Sequence, residues 1–302
     1  MTDTLEDIAA PARRAFTVET EGGSLTLSYL DWGQPENPNV VVCAHGLTRN
    51  AHDFDFLART LANDFRVVCP DTAGRGESSW LPNPANYGYA TYVAHAHALA
   101  EHLGAQRLHW VGTSMGGLIG IMMAATAPDL IRRLVLNDIG PRVARRGLLR
   151  LAGYVGDDRR FPDLAAVEAY LREVLAPFGQ LAEVHWRHLA SHSVLSMASG
   201  ELMLAYDPAI AEPFREIPDN DVELWEVWDE VVCPVLLLRG AESDILTAAT
   251  ADEMTRRGPG AQLVTFPEIG HCPMLMDSGQ IALVRDWLVS THDSPANRKL
   301  KT

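Results

Sequence analysis

The stretch Val111-Gly112-Thr113-Ser114-Met115-Gly116-Gly117 decides the fold, because it joins a short apolar run to a helical pattern through a tight turn. Glycines at 112 and 116 let the backbone turn sharply around Ser114, and a serine held in such a turn is presented at the end of a strand. The first amides of the following helix favour negative charge at the same point. The pattern therefore predicts a nucleophile at the edge of an α/β sheet.

Apolar runs of strand length alternate with helical patterns on both sides of this turn. Strands are predicted over 15–19, 25–30, 40–44, 65–69, 108–111, 134–137, 235–239 and 262–266, and core helices near 54–61, 89–103 and 280–289. The first two strands flank Glu21-Gly22-Gly23, which is typical of an antiparallel hairpin. The later alternation predicts a mostly parallel sheet with helices on both faces.

The pattern changes between residues 141 and 220, where helical periodicity continues but no strand pattern occurs. Helices are predicted over 143–155, 163–176 and 180–197. The predicted organisation is a tail (1–14), an α/β core (15–140 and 221–290), a helical insertion (141–220) and a second tail (291–302).

Bulk properties narrow the function classes. The 302 residues carry a net charge of −14, which argues against a nucleic-acid partner and against docking on an anionic membrane. The N-terminus is acidic and lacks the pattern of a signal peptide, so a cytoplasmic protein is expected. The four cysteines are too scattered for a disulfide framework or a metal site and are predicted to be reduced and buried. The oligomeric state is left open.

A serine hydroxyl needs a base to accept its proton and an acid to orient that base. Two late loops follow predicted strands, and they supply Asp244 and His271. The order Ser114, Asp244, His271 is one in which serine hydrolases arrange these groups. Glu242 in the same loop and Asp138 after the 134–137 strand are alternative acids. Backbone amides of Met115 and of the loop after the 40–44 strand are candidates for an oxyanion hole.

The chain resembles the α/β-hydrolase fold family, in the group of serine esterases, lactonases and carbon–carbon-bond hydrolases. The matching pieces are His45-Gly46, Asp71 to Ser78, Gly112 to Gly117, Arg239 to Asp244 and Gly270-His271. The resemblance implies an eight-stranded sheet with a helical cap inserted after the sixth strand. It also implies Ser114 as nucleophile, His271 as base, Asp244 as acid, Leu47 and Met115 as oxyanion donors, and no cofactor or metal.

These observations predict a carboxylesterase acting on a small ester through an acyl-enzyme on Ser114. The alternatives are a lactonase or a carbon–carbon-bond hydrolase of a ring-cleavage product with the same triad, and a non-catalytic ligand receptor on this scaffold. Dehalogenases and epoxide hydrolases of the fold carry aspartate at the turn, so Ser114 argues against both. Arg49, Trp186 and His188 are predicted to line the substrate pocket.

Overall fold

The computed structural model describes residues 10–20 and 23–290 of the chain. The part before the insertion contains β1 (Ala12–Thr20), β2 (Gly23–Trp32), β3 (Val40–Ala44), α1 (Asp55–Leu61), β4 (Arg66–Pro70), α2 (Tyr89–His102), β5 (Leu108–Thr113), α3 (Met115–Thr126) and β6 (Ile131–Asn137). The insertion contains β7 (Arg142–Val143), α4 (Arg145–Ala152), β8 (Arg160–Phe161), α5 (Leu164–Val174), α6 (Glu183–His192), β9 (Val194–Ser196), β10 (Leu202–Leu204) and β11 (Val222–Glu223). The chain then continues through α7 (Trp225–Asp229), β12 (Val235–Gly240), α8 (Ala248–Met254), β13 (Gln262–Phe266) and α9 (Ser278–Val289).

The main sheet has eight strands in the order β1-β2-β4-β3-β5-β6-β12-β13. The β1–β2 and β2–β4 pairs are antiparallel and all other pairs are parallel, as the strand pattern predicts. Strands β5, β6 and β12 are neighbours in the middle of the sheet. Their carboxyl ends therefore lie side by side, which is where open α/β sheets place their ligand sites.

Both faces of the sheet are buried. Along β3, Val40 and Val42 pack into one apolar cluster, and Val41 and Cys43 pack into a second one on the opposite face. The first cluster includes residues of α2 and α3, and the second includes residues of α1 and α9. This explains why the central strands are continuous apolar runs and do not alternate.

The insertion after the sixth strand is mainly helical, but it differs from the expectation in two ways. It contains short strands, with β8, β10 and β9 forming a small sheet and β7 pairing with β11. Its helices are also shorter than the sequence pattern suggests. The strands have two or three residues each, too few to produce a period that a sequence pattern would detect.

The N-terminal boundary of the core lies earlier in the chain than the sequence predicts. Strand β1 begins at Ala12, so residues 12–14 belong to the hairpin and not to a tail. Residues 1–9 and the predicted tail 291–302 lie outside the described residues. All four cysteines are free and buried, as predicted. Among the described residues, no helix combines the length and the apolar character that crossing a bilayer requires.

Candidate active site

Ser114 occupies the turn between β5 and α3 in a strained backbone conformation. Its φ is 52° and its ψ is −114°, a combination that side-chain-bearing residues rarely adopt. A Cβ at Gly112 would collide with the carbonyl of Gly116, and a Cβ at Gly116 would collide with the carbonyl of Ala44. Glycine at both positions therefore lets strand, turn and helix approach closely enough to hold Ser114 at the sheet edge.

Three side chains form a continuous hydrogen-bonded chain at this edge. His271 Nε2 lies 2.9 Å from the Ser114 hydroxyl, and His271 Nδ1 lies 2.7 Å from Asp138 Oδ2. If Nδ1 donates to the carboxylate, Nε2 is left free to accept the serine proton. Asp138 is fully buried and also accepts from the Gly240 amide at 2.8 Å and the Ser243 hydroxyl at 2.5 Å.

Asp244, the acid predicted to orient His271, does not contact it in the structure. Its carboxylate instead accepts two hydrogen bonds from Arg150 of α4, at 2.6 and 2.9 Å. Partial burial raises the pKa of Asp244, but the hydrogen bond and charge of Arg150 outweigh burial and hold it below its ordinary value. Glu242 is exposed. The alternative acid, Asp138, occupies the place beside His271.

The predicted oxyanion donors, Leu47 and Met115, flank Ser114. Within the part of the chain that the structure describes, neither backbone amide donates to a protein acceptor. The loop carrying Leu47 is braced by His45, whose Nδ1 lies 2.7 Å from the Gly46 carbonyl and whose Nε2 accepts from the Thr72 amide at 3.0 Å. Burial lowers the pKa of His45, which keeps the ring neutral and suits it to this bracing position.

Arg75 connects the two candidate oxyanion donors, and the sequence pattern gave it no such role. It is fully buried, donates to the Leu47 carbonyl at 2.9 Å and contacts Met115 Sδ at 3.6 Å. Further N–H groups donate to the Ala73 carbonyl and the Tyr92 hydroxyl. Among the described residues, its hydrogen-bond partners are two carbonyls, a hydroxyl and a sulfur, and none is a carboxylate. Its placement in the Asp71-to-Ser78 loop was the only sequence signal available.

Replacing Arg75 by methionine should lower kcat for an activated ester about 10- to 100-fold, with a much smaller change in KM. The reason is that a misplaced oxyanion donor weakens binding of the transition state more than binding of the substrate. Steady-state kinetics on the folded variant measures both constants. Arg66→Met is the matched control, because Arg66 pairs with Asp31 at the β2–β4 edge. Equal losses of kcat in the two variants would contradict a positioning role for Arg75.

Two cavities meet at Ser114, and they differ in the side chains that line them. The larger, of about 960 Å³ including its open part, has an almost entirely apolar wall that includes Leu118, Ile139, Leu148, Ile210 and Val222. The smaller, of about 550 Å³ by the same measure, is also lined by His271 and has polar wall residues Thr48, Arg49, Asp53 and Tyr154. Burial raises the pKa of the Tyr154 phenol, so its hydroxyl stays protonated and can donate.

One of the three predicted pocket residues lines these cavities. Arg49 lies in the wall of the smaller cavity. Trp186 is buried within the insertion, with the Arg172 guanidinium 5.0 Å from its ring, and His188 donates to the His52 carbonyl at 2.9 Å. Neither belongs to the walls that meet Ser114. Trp186 packs inside the insertion and His188 contacts the core at His52, so neither side chain enters the space beside the serine.

Within the described ranges, one group of side chains has the composition of a metal site: His52, Asp55 and His192. The His52 and His192 rings stack at 3.8 Å, which directs neither ring plane toward a shared ion. His52 is also engaged at both nitrogens, by Asp55 at 2.8 Å and by Arg13 at 2.9 Å. Burial lowers the pKa of His192 to about 4. These three residues lie outside both cavity walls and join α6 to the core.

Comparisons with known proteins agree with this architecture. Residues 39–277 match the alpha/beta hydrolase fold family. The chain is 41% identical over 266 residues to the 3-hydroxybutyrate-oligomer hydrolase of Cupriavidus necator, covering 85% of this chain and 90% of that protein. It is similar to the crystal structure of an alpha/beta hydrolase from Novosphingobium aromaticivorans, with a TM-score of 0.83, 38% identity and coverage of 93% and 98% of the two chains.

A putative hydrolase from Rickettsia typhi has the same architecture, with a TM-score of 0.86 and 32% identity over 92% of this chain and 98% of that one. The match to the family spans most of the chain, from β3 through the loop after His271. The strand order, the turn at Ser114 and these similarities lead to one conclusion. The chain belongs to the alpha/beta hydrolase fold family and is a hydrolase.

Proposed function

We propose that this hydrolase cleaves small carboxylic esters through an acyl-enzyme on Ser114. The observation that carries the proposal is the hydrogen-bonded chain from Ser114 through His271 to Asp138, located where two cavities meet. The leading substrate class is short esters of 3-hydroxy acids, because the C. necator relative is named for 3-hydroxybutyrate oligomers. A cytoplasmic location remains the expectation from the sequence.

In the proposed reaction, His271 Nε2 takes the Ser114 proton as the hydroxyl oxygen attacks the ester carbonyl carbon. The carbonyl oxygen becomes negatively charged and accepts hydrogen bonds from the Leu47 and Met115 amides. His271 then returns the proton to the leaving alcohol as the carbon–oxygen bond breaks. Water repeats the sequence on the acyl-enzyme, losing its proton to His271 and releasing the acid and Ser114.

Asp138 keeps His271 in the required orientation and stabilises the imidazolium that forms in each half of this reaction. Its three hydrogen-bond donors fix the carboxylate in place, so the imidazole cannot rotate freely. Asp244 has no part in this scheme because Arg150 already occupies both of its oxygens.

A substrate panel with a covalent trap tests the proposal. The purified protein should hydrolyse p-nitrophenyl butanoate and the linear dimer of 3-hydroxybutyrate, and a fluorophosphonate should label Ser114. A vinylogous 1,5-diketone should be cleaved at least 100-fold more slowly. Faster cleavage of the diketone would favour the carbon–carbon-bond alternative. Absence of both turnover and labelling would favour a receptor that uses the same scaffold without catalysis.

A further inference from the structure

The position of His271 determines which half of an ester each cavity receives. In the proposed reaction, the protonated imidazole must reach the oxygen of the leaving alcohol. His271 lines the smaller cavity and is absent from the wall of the larger one. The leaving alcohol therefore extends into the smaller cavity, and the acyl chain extends into the larger cavity.

Arg49 is the strongest hydrogen-bond donor in the wall of the smaller cavity. Its Nε and one terminal nitrogen donate to Asp53, at distances from 2.7 to 3.1 Å, and its other terminal nitrogen donates to Ser193 at 2.9 Å. A guanidinium has five N–H groups. Three are used in these contacts, so two remain without an acceptor in the part of the chain that the structure describes.

Arg49 also lies close to the reacting serine. A Cβ placed on Gly46 would be 3.8 Å from both Arg49 Cγ and Ser114 Cβ, so the two side chains flank the same point. Arg49 and Asp53 are both buried, and Ser193 attaches the guanidinium to the end of α6. The Arg49 side chain, which belongs to the cavity wall, is therefore held in a fixed orientation, as a specificity-determining group requires.

Asp53 determines what kind of group this arginine can recognise. The pair is bidentate and lies in the same wall, so the positive charge of Arg49 is largely neutralised within the cavity. A substrate carboxylate would meet Asp53 as well as Arg49 and would lose its hydration. A neutral carbonyl oxygen can accept the remaining N–H groups without repulsion from Asp53 and with a much smaller desolvation cost than a carboxylate.

We propose that Arg49 selects leaving alcohols that carry a carbonyl oxygen near the scissile bond, and that it does so by hydrogen bonding and not by net charge. This inference rests on the proposed ester hydrolysis and specifies its substrate class. In an oligomer of 3-hydroxyacyl units, the alcohol half released at an internal ester has such a neutral carbonyl in its next ester bond. Internal esters of an oligomer are therefore the preferred substrates.

Two butanoate esters test this selection. Methyl 3-(butanoyloxy)butanoate and hexan-2-yl butanoate have the same acyl group and similar secondary alcohols, but only the first has the additional carbonyl. The wild-type protein should show a kcat/KM about 10- to 100-fold higher for the first ester, as expected for hydrogen bonds from a charged donor. Arg49→Lys keeps a cation beside Asp53 but not the two N–H groups, and it should reduce this ratio to less than about threefold.

Arg66→Lys is the matched control, because it alters an ion pair between β2 and β4, outside both cavity walls, and should leave the ratio unchanged. An equal loss on both esters in Arg49→Lys would overturn the proposal and assign Arg49 a structural role. If the lysine variant is poorly folded, Arg49→Gln combined with Asp53→Asn tests the same ratio without leaving a buried unpaired charge.

The free acid, 3-(butanoyloxy)butanoic acid, tests the role of charge. The wild-type protein should hydrolyse the methyl ester at least as well as this acid. If kcat/KM for the acid exceeded that for the methyl ester by more than tenfold, recognition would depend on charge and the proposal would be overturned. A failure of the proposed ester hydrolysis can be told apart from a failure of the selection by Arg49. In the first case, hexan-2-yl and p-nitrophenyl butanoate would both resist hydrolysis and Ser114 would not be labelled.

Discussion

Ser114→Ala should lower kcat for ester hydrolysis by on the order of 10⁵ to 10⁶, because members of a catalytic triad act as a unit. The variant should fold normally. Alanine is smaller than serine and has the same backbone requirement, so the turn at φ 52° is no more strained than before. The lost hydroxyl makes one hydrogen bond, to His271, and the ring nitrogen then faces the open cavity.

The measurement is kcat on p-nitrophenyl butanoate, with thermal unfolding as the check on folding. Thr126→Ala is a matched hydroxyl deletion, since Thr126 bonds only to the Met122 carbonyl at the end of α3. It should keep kcat within about twofold of wild type, as expected for a change outside the reacting groups. If Ser114→Ala kept more than a tenth of wild-type activity, Ser114 would not be the nucleophile.

Asp138→Asn should lower kcat at neutral pH by about 10⁴, because the amide no longer selects the His271 tautomer that accepts the serine proton. The shape of the side chain is preserved, so the packing around it should change little. The amide nitrogen would also face the Gly240 amide or the His271 ring, both of which donate to the native carboxylate. Some loss of thermal stability should therefore accompany the loss of activity.

Asp244→Asn is the matched control, because the same change is made to a carboxylate that follows the neighbouring sheet strand. It should cost less than about tenfold in kcat, since Asp244 contacts Arg150 and not His271. The two variants are compared on one activated ester. A large loss in Asp244→Asn with a small one in Asp138→Asn would contradict the assignment of Asp138 as the orienting acid.

The sequence was sufficient to predict the architecture. Continuous apolar runs indicate strands covered on both faces, and their alternation with helical patterns leaves few ways to arrange a parallel sheet. Ser114 and His271 were also identifiable, because each lies in a loop directly after a strand and the fold brings such loops to one edge. The structure brings these two side chains within hydrogen-bonding distance.

The sequence favoured Asp244 over Asp138 as the orienting acid, and only the tertiary structure shows that Asp138 is the one that contacts His271. Both follow strands, β6 and β12, that are neighbours in the sheet, so chain order and topology place both near His271. Asp138 has a positive φ of 56°, and its carboxylate is aimed at His271 by contacts with the Gly240 amide and Ser243. Asp244 is held by Arg150, which is 94 residues away in sequence.

The sequence also could not predict which residues line the cavities, because that too depends on contacts between distant segments. The sequence shows that Arg49, Trp186 and His188 lie in suitable segments, but the way a helix rotates and docks decides which of its side chains face a cavity. Helix α6 turns Trp186 inward and His188 toward the core, whereas Arg49 is fixed by Asp53 four residues later and by Ser193. The sequence alone thus determined the fold and singled out the candidate pair Ser114 and His271, because these depend on local patterns. The acid and the pocket depend on contacts between distant segments, which only the folded chain specifies.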